Sequence, residues 1–357
     1  MNVMAWFWRS LLRGVDNLIF WRRTAQYRPS FCKEKLTNRE FQAAVKAGRR
    51  DFTRVVFLNV DFSQHELRGF TFYQADFRTS RLWGDNLSLA GAELTGALLQ
   101  GMNLAGLDFE AAVLRHAKLD GANLANCNLN YVNFSHAKLE GANLANCNLN
   151  DANLSNTQLS KAILSKAQLN HANLAEATAI AANFSQIQGE NLNAYGANLR
   201  GSEFKGALLR EIKLQNANLE GADLPRADLT GAVLSHANLS YSSLENAVLE
   251  GANLSQADLR GANLTHTYCA GLNAASANLE NCNLTNADFR ESNLQGANLN
   301  QANCNWADFS DANLLNIKSN NLSLEYADLT GASLPENNNF SSSAWFPERY
   351  ITMTRRS

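Results

Sequence analysis

The sequence predicts an all-β solenoid whose coils are square and twenty residues long, and three observations carry that prediction. From Leu89 to Leu334 a large apolar residue returns every fifth place without insertion or deletion; of these fifty positions, here called i, forty-three are Leu or Phe. Two places earlier, at i−2, thirty-two of the fifty residues are Ala, and the residue between, i−1, is usually Asn or Asp. Finally, HAKLDGANLANCNLN from His116 to Asn130 returns twenty residues later as HAKLEGANLANCNLN from His136 to Asn150, changed only at Asp120/Glu140. Self-similarity of this kind is the signature of a stacked repeat.

The period itself excludes a helix. Five residues advance an α-helix by about 500°, so the Leu positions would wander around the cylinder rather than form a stripe. Ala and Leu favour helices, and propensity alone would mislead here. In a short extended segment i−2 and i share one side and i−1 takes the other. Each pentad then sends one small and one large side chain inward before the chain turns a corner. The twenty-residue duplication makes four pentads one coil, with coils stacked about 4.8 Å apart.

Along the chain, residues 1–35 form a basic, aromatic segment. Met4, Trp8, Leu11, Val15 and Leu18 fall at helical spacing, with Arg9, Arg13 and Asp16 between them. Those charges break any run long enough for a membrane span or a secretory signal. Trp6, Trp8 and Trp21, with Arg9, Arg13, Arg22 and Arg23, suit a helix lying in a membrane surface or one folded back on the rod. Residues 36–50 are expected to be a capping helix running from Leu36 to Gly48. Thr37 and Glu40 have the spacing of a capping box, Leu36 and Phe41 that of a hydrophobic staple, and Gly48 suits the C′ position. An open first coil would invite edge-to-edge association, which gives such a helix its purpose.

Residues 51–334 are the repeat. It opens in another phase, with Phe52, Phe57, Phe62, Leu67, Phe72, Phe77 and Leu82 five apart, and a linker from Trp83 to Ser88 is expected to form an outward loop where the phase slips by two. Seven early pentads and fifty later ones make about fourteen coils, a rod of roughly 70 Å. Where i shrinks, i−2 often grows: Ile187 precedes Gly189, Leu192 precedes Ala194, Leu272 precedes Ala274 and Ile317 precedes Ser319. Such exchanges roughly conserve core volume. Ala177/Ala179 and Thr267/Cys269 lack that compensation, although Ile180 is placed to fill some of the first gap, so a distortion is expected near 176–195. Residues 335–357 leave the pattern through Pro335 and a polar run, then carry Trp345, Phe346, Tyr350, Ile351 and Met353 before Arg355 and Arg356. This tail is expected to act as a second cap. Trp306 and Tyr326, one coil apart in the same outward position, form an exposed aromatic step for the tail or a partner to meet.

The residue inventory offers little chemistry. Of six cysteines, Cys127, Cys147 and Cys282 fall at i−2 and Cys269 and Cys304 at i, all inward; only Cys32 lies outside the repeat. No Cys-x-x-Cys spacing exists, so core thiols are expected and no metal or cofactor is indicated. Free thiols suit a reducing cytoplasm. His116, His136, His171, His236 and His266 share one outward corner position, and His116 should stack on His136, without a third ligand beside them. Acid pairs such as Asp223 and Asp228 lie on neighbouring faces, with no cleft to raise a pKa. No phosphate loop or nucleophile elbow is present, and a core filled by Leu leaves no lumen for a substrate. The reading is not an enzyme. Stacked Asn columns, such as Asn123 with Asn143 and Asn133 with Asn153, should instead bond along the rod.

The motif A-[DN]-L-x-x, as in Ala122-Asn123-Leu124 and Ala257-Asp258-Leu259, resembles the pentapeptide-repeat family over about four fifths of the chain. That resemblance implies a right-handed quadrilateral β-helix and leaves function open. Some members of the family protect DNA gyrase by presenting an acidic, DNA-like rod, and others are secreted bacterial effectors that bind host proteins. Charge weighs against DNA mimicry and against nucleic acid as a partner. Residues 1–54 hold twelve Lys/Arg against four Asp/Glu, and the remainder nineteen against twenty-nine. Ten excess negative charges on such a rod imitate duplex DNA, with its charge every ~1.7 Å, poorly. The leading expectation is a cytoplasmic, non-enzymatic scaffold that docks a protein partner. Alternatives are a rod tethered to a membrane by its basic N-terminus, or a secreted effector or gyrase-binding mimic.

Overall fold

A computed structural model describes residues 33–84 and 87–335. Its repeating element is smaller than an ordinary strand. Beyond the first coil each pentad contributes a single bridging residue, i−1, which pairs in parallel with the residue twenty places on: Asn123 with Asn143, Asn128 with Asn148, Asn133 with Asn153 and Lys138 with Gln158. Four such columns run along the rod in unbroken twenty-residue steps from Ser88, Glu93, Leu98 and Asn103 to Asp328, Ser333, Lys318 and Ser323.

Backbone groups around one pentad account for this geometry. The Leu124 N–H donates to Asn143 O at 2.7 Å and the Asn126 N–H to Ala145 O at 2.9 Å, both one coil ahead. The Asn123 N–H donates back to Met102 O at 2.8 Å, and the Cys127 N–H closes the corner on Leu124 O at 3.1 Å. At the corner, i+2 must take positive φ, as the second central residue of a type II turn does. Every i+2 residue from Gly91 to Gly331 has φ between 53° and 74°. Glycine meets that demand freely, and Asn, Asp and His meet it more easily than most. Val, Ile and Thr never occupy these corners.

Inside, i and i−2 are buried along the rod, from Phe52 to Leu314. The first coils pack rings: Phe57 meets Phe62 at 5.1 Å and Phe77 at 4.9 Å between centroids. Ahead of them, β1 (Lys35–Thr37) pairs in parallel with β2 (Val56–Leu58), and α1 spans Asn38–Lys46 between the two. Phe41 of α1 lies 5.1, 5.5 and 4.7 Å from Phe52, Phe57 and Phe62. The Glu40 carboxylate reaches back to accept the Thr37 N–H and hydroxyl, each at 2.8 Å. Gly48, at φ 91°, ends the helix with its N–H on Val45 O.

The structure corrects four sequence-based expectations. Leu36 stands in β1, not in the helix, because its backbone extends the first coil's ladder by one rung. The outward loop is shorter than Trp83–Ser88: Leu87 is buried and Ser88 already bridges Asp108, so the two extra residues fall before Leu87. They are absorbed locally, since Thr71 pairs with Glu93, twenty-two places on, and the twenty-residue step then resumes. No break in the ladder marks 176–195; Thr178 pairs with Asn198 and Asn173 with Asn193 in unchanged register. Ile180 cannot fill the gap at Ala179 because it points outward and is 37 % exposed.

Compensation at the small positions is visible in the core. A Cβ on Gly189 would meet the Leu209, Leu192 and Ile187 side chains at 3.1–3.6 Å, so its space is already taken. Thr267 is satisfied another way. Its hydroxyl donates to Leu264 O at 2.8 Å, as Thr157, Ser202, Ser242 and Ser292 do to the carbonyl three places before each. A hydroxyl at i−2 is tolerated because the corner carbonyl is a ready acceptor.

Candidate interaction surface

With the interior packed, the outward side chains are what the coils present to other molecules, and the i−1 columns are their most regular feature. An Asn or Asp at i−1 accepts the N–H of i+1 from the same corner: Ala125 N–H on Asn123 Oδ1 at 3.2 Å, Ala145 on Asn143 at 3.1 Å, Ser155 on Asn153 at 3.1 Å. That local bond explains the residue choice; it is the Asx-turn habit of these side chains. Asn adds a second bond through Nδ2 to the column neighbour of the preceding coil. Asn123 donates to Asn103 at 2.9 Å, Asn143 to Asn123 at 3.1 Å, and Asn313 to Asn293 at 3.2 Å. The amide ladders therefore have a direction, and their polar atoms are largely spoken for.

Charges are placed singly rather than as a cluster. Arg260 with Asp258 (2.6 Å), Arg290 with Asp288 (2.7 Å) and Arg210 with Asp228 (2.6 Å) are exposed pairs of small energetic weight. The hydrogen bond from Arg260 holds the Asp258 carboxyl below its ordinary pKa, and Arg290 does the same for Asp288. Towards the C-terminal end, Asp308 faces Arg290 at 3.7 Å, and Asp311, Glu325 and Asp328 have Lys318 as the only basic residue in the same two coils.

The two stacked pairs stand where the repeat predicts. His116 and His136 lie 5.0 Å apart, 12° from parallel, with positive φ at both. Partial burial lowers the pKa of His116, and His136 and Arg115 push it the same way. Parallel rings at that spacing cannot converge on one ion, and among the described residues no group of three or more His, Cys, Asp or Glu could hold a metal. Trp306 and Tyr326 stack at 4.2 Å and 19°, 56 % and 67 % exposed.

The thiols are structural. Cys127, Cys147 and Cys282 donate Sγ–H to Leu104, Leu124 and Leu259 carbonyls at 2.9–3.0 Å, and burial pushes Cys269 and Cys282 up to about 12. A thiol so far above neutral pH is not a nucleophile.

Trp6, Trp8, Arg9, Arg13, Trp21, Arg22, Arg23 and Cys32 lie outside the described residues, as does the tail beyond Pro335. No helix among the described residues is long and apolar enough to cross a membrane. Sequence reasoning missed one feature, the hollow of about 780 Å³ beside the phase slip, lined by Trp83, Gly84, Leu87, Ser88, Leu107 and Asp108 among others. The break in period at Trp83 was its only signal.

Comparison with known proteins came down to the repeat. The sequence model for pentapeptide repeats matches overlapping stretches between residues 92 and 336. No protein of curated function matches. Among solved structures, HetL, a pentapeptide-repeat protein involved in heterocyst differentiation regulation in the cyanobacterium Nostoc sp. strain PCC 7120, is 26 % identical, over 84 % of this chain and 98 % of its own, at a TM-score of 0.24. QnrB1, a plasmid-mediated fluoroquinolone resistance protein, is 17 % identical over 66 % and 91 %, also at 0.24. A pentapeptide-repeat protein of the Arabidopsis thaliana thylakoid lumen is 33 % identical over 30 % and 68 %, at 0.17. At TM-scores this low the likenesses carry no weight beyond the repeat match.

Proposed function

This chain belongs to the pentapeptide-repeat family, and on that premise we propose that it is a non-enzymatic scaffold, a rod of about fourteen right-handed coils that docks a protein partner along one face. A single observation carries the reading. The ladder runs from Asp51 to Ser333, so outward side chains are held in fixed columns about 4.8 Å apart over its whole length. A surface ordered before binding loses little conformational entropy on binding, which favours recognition of another macromolecule. The interior supports it from the other side: i and i−2 fill the coil, and the cavity at the C-terminal end of the core, between Phe309, Leu314 and Leu329, is only about 10 Å³.

Residues 1–35 supply a second contact in this proposal, to the same partner or to an anionic surface, through Trp6, Trp8, Trp21 and the neighbouring arginines. Face-specific variants of the full chain test the docking. Lys118 and Lys138 changed to Glu mark the third column, and Asn133 and Asn153 changed to Arg mark the second. Capture from a lysate should fail for one face and persist for the others. Equal capture by every variant, or none by the parent, would sink the reading.

A further inference from the structure

The two ends of the ladder are built differently. At the first coil Phe41 sits over Phe52, Phe57 and Phe62, and β1 adds a rung above β2. At the other end the last coil has no neighbour among the described residues. Along the regular repeat, as far as Leu314, the N–H groups of i and i+2 donate to the coil ahead, but those of Ser319, Asn321, Leu324, Tyr326, Leu329 and Gly331 find no acceptor among the described residues. Ile317, Leu322, Leu329 and Leu334 are only half-buried, whereas their counterparts one coil earlier, such as Phe309, are fully covered. An edge whose donors lack partners among the described residues, with an apolar rim, is a template for a further strand.

We infer that this edge is an intramolecular docking site whose occupant is the chain's own C-terminal segment, residues 336–357. The segment starts where the edge begins, at Pro335, so its local concentration is set by a tether of no length. Its twenty-two residues match the twenty of a coil and include Phe340, Trp345, Phe346, Tyr350, Ile351 and Met353. Charge agrees. The last two coils carry Asp308, Asp311, Glu325 and Asp328 against Lys318, and the segment carries Arg349, Arg355 and Arg356 against Glu336 and Glu348, with two of its arginines adjacent near its end. The stacked rings of Trp306 and Tyr326 stand beside the same edge and offer a face to an aromatic or guanidinium group. A second copy is the poorer occupant. A two-fold contact between last coils would bring those four carboxylates against their own images.

Amide exchange on the full chain tests this. The last-coil amides named above should exchange more slowly than in a chain ending at Pro335, by about tenfold or more, at every protein concentration. The synthetic peptide 336–357 added to the shortened chain should restore protection. In case the shortened chain folds poorly, the full-length Trp345→Ser/Phe346→Ser variant should lose protection at the last coil while the Asn123–Asn153 coils keep theirs. Equal exchange in parent and variants would overturn the inference. So would protection that survives the truncation and rises with protein concentration, which would identify a second copy as the occupant.

Discussion

At the scale of a single residue, i−1 shows why the repeat is written as it is. Asn143 does two jobs: Oδ1 takes the Ala145 N–H at 3.1 Å, and Nδ2 reaches Asn123 at 3.1 Å. Asp can do only the first. We therefore expect Asn143→Ala to cost about 1–2 kcal/mol and Asn143→Asp about half as much, read from urea unfolding. Equal losses would show that the corner bond is not what selects the residue. The alternation of inward and outward residues was legible at once, because Ala and Leu at i−2 and i leave i−1 nowhere else to point. The reason for Asn was less so. Ladders of Asn could be inferred from the spacing, but the acceptor role inside its own corner depends on a backbone angle at i+2 that no side chain announces, since Tyr241 and Lys161 adopt it as well as Gly121.

At the scale of the element, the cap and the irregular pentads show where local reading succeeds and stops. Thr37 and Glu40 marked the helix start because their bond is a short-range one. Leu36 reads as helix in sequence and belongs to a strand, because its pairing with Phe57 is a contact across twenty-one residues. Ile180 departs from expectation for a related cause: volume can be counted from sequence, but the side a residue faces follows its place in the pentad. Phe41→Ala should test the cap. Removing a fully buried ring that touches three phenyl rings and the His65 imidazole costs about 3–5 kcal/mol. Amides of Phe57 and Phe62 should then exchange faster while those of Leu284 and Leu299 keep their rates. Uniform acceleration along the rod would mean that the molecule unfolds as one unit and that the cap has no local role.

Across the whole molecule the governing number is twenty. Deleting residues 121–140 removes one coil and joins Asp120 to Gly141, so every column below and above should stay in register. Deleting 121–130 instead turns the C-terminal half by two faces and sets Asn153 under a different column. The first variant should remain folded, shorter by about 4.8 Å in its scattering profile, and keep any partner that reads one half alone. The second should keep the backbone ladder but lose a partner that spans both halves. If the twenty-residue deletion unfolds the protein, nearest-neighbour stacking is not the source of its stability.

Twenty also fixes how far apart in sequence the groups joined by each rung are. Asn123 finds Asn143 over the same distance that Asn293 finds Asn313, and lengthening the rod would add rungs without lengthening any search. Folding of such a chain is a succession of equal loop closures, and its speed need not fall as the protein grows. The ring-packed coils under Phe41 are a natural place for that succession to start. They are also among the first parts of the repeat to leave a ribosome, so a start there would give each later coil a finished template as it is made.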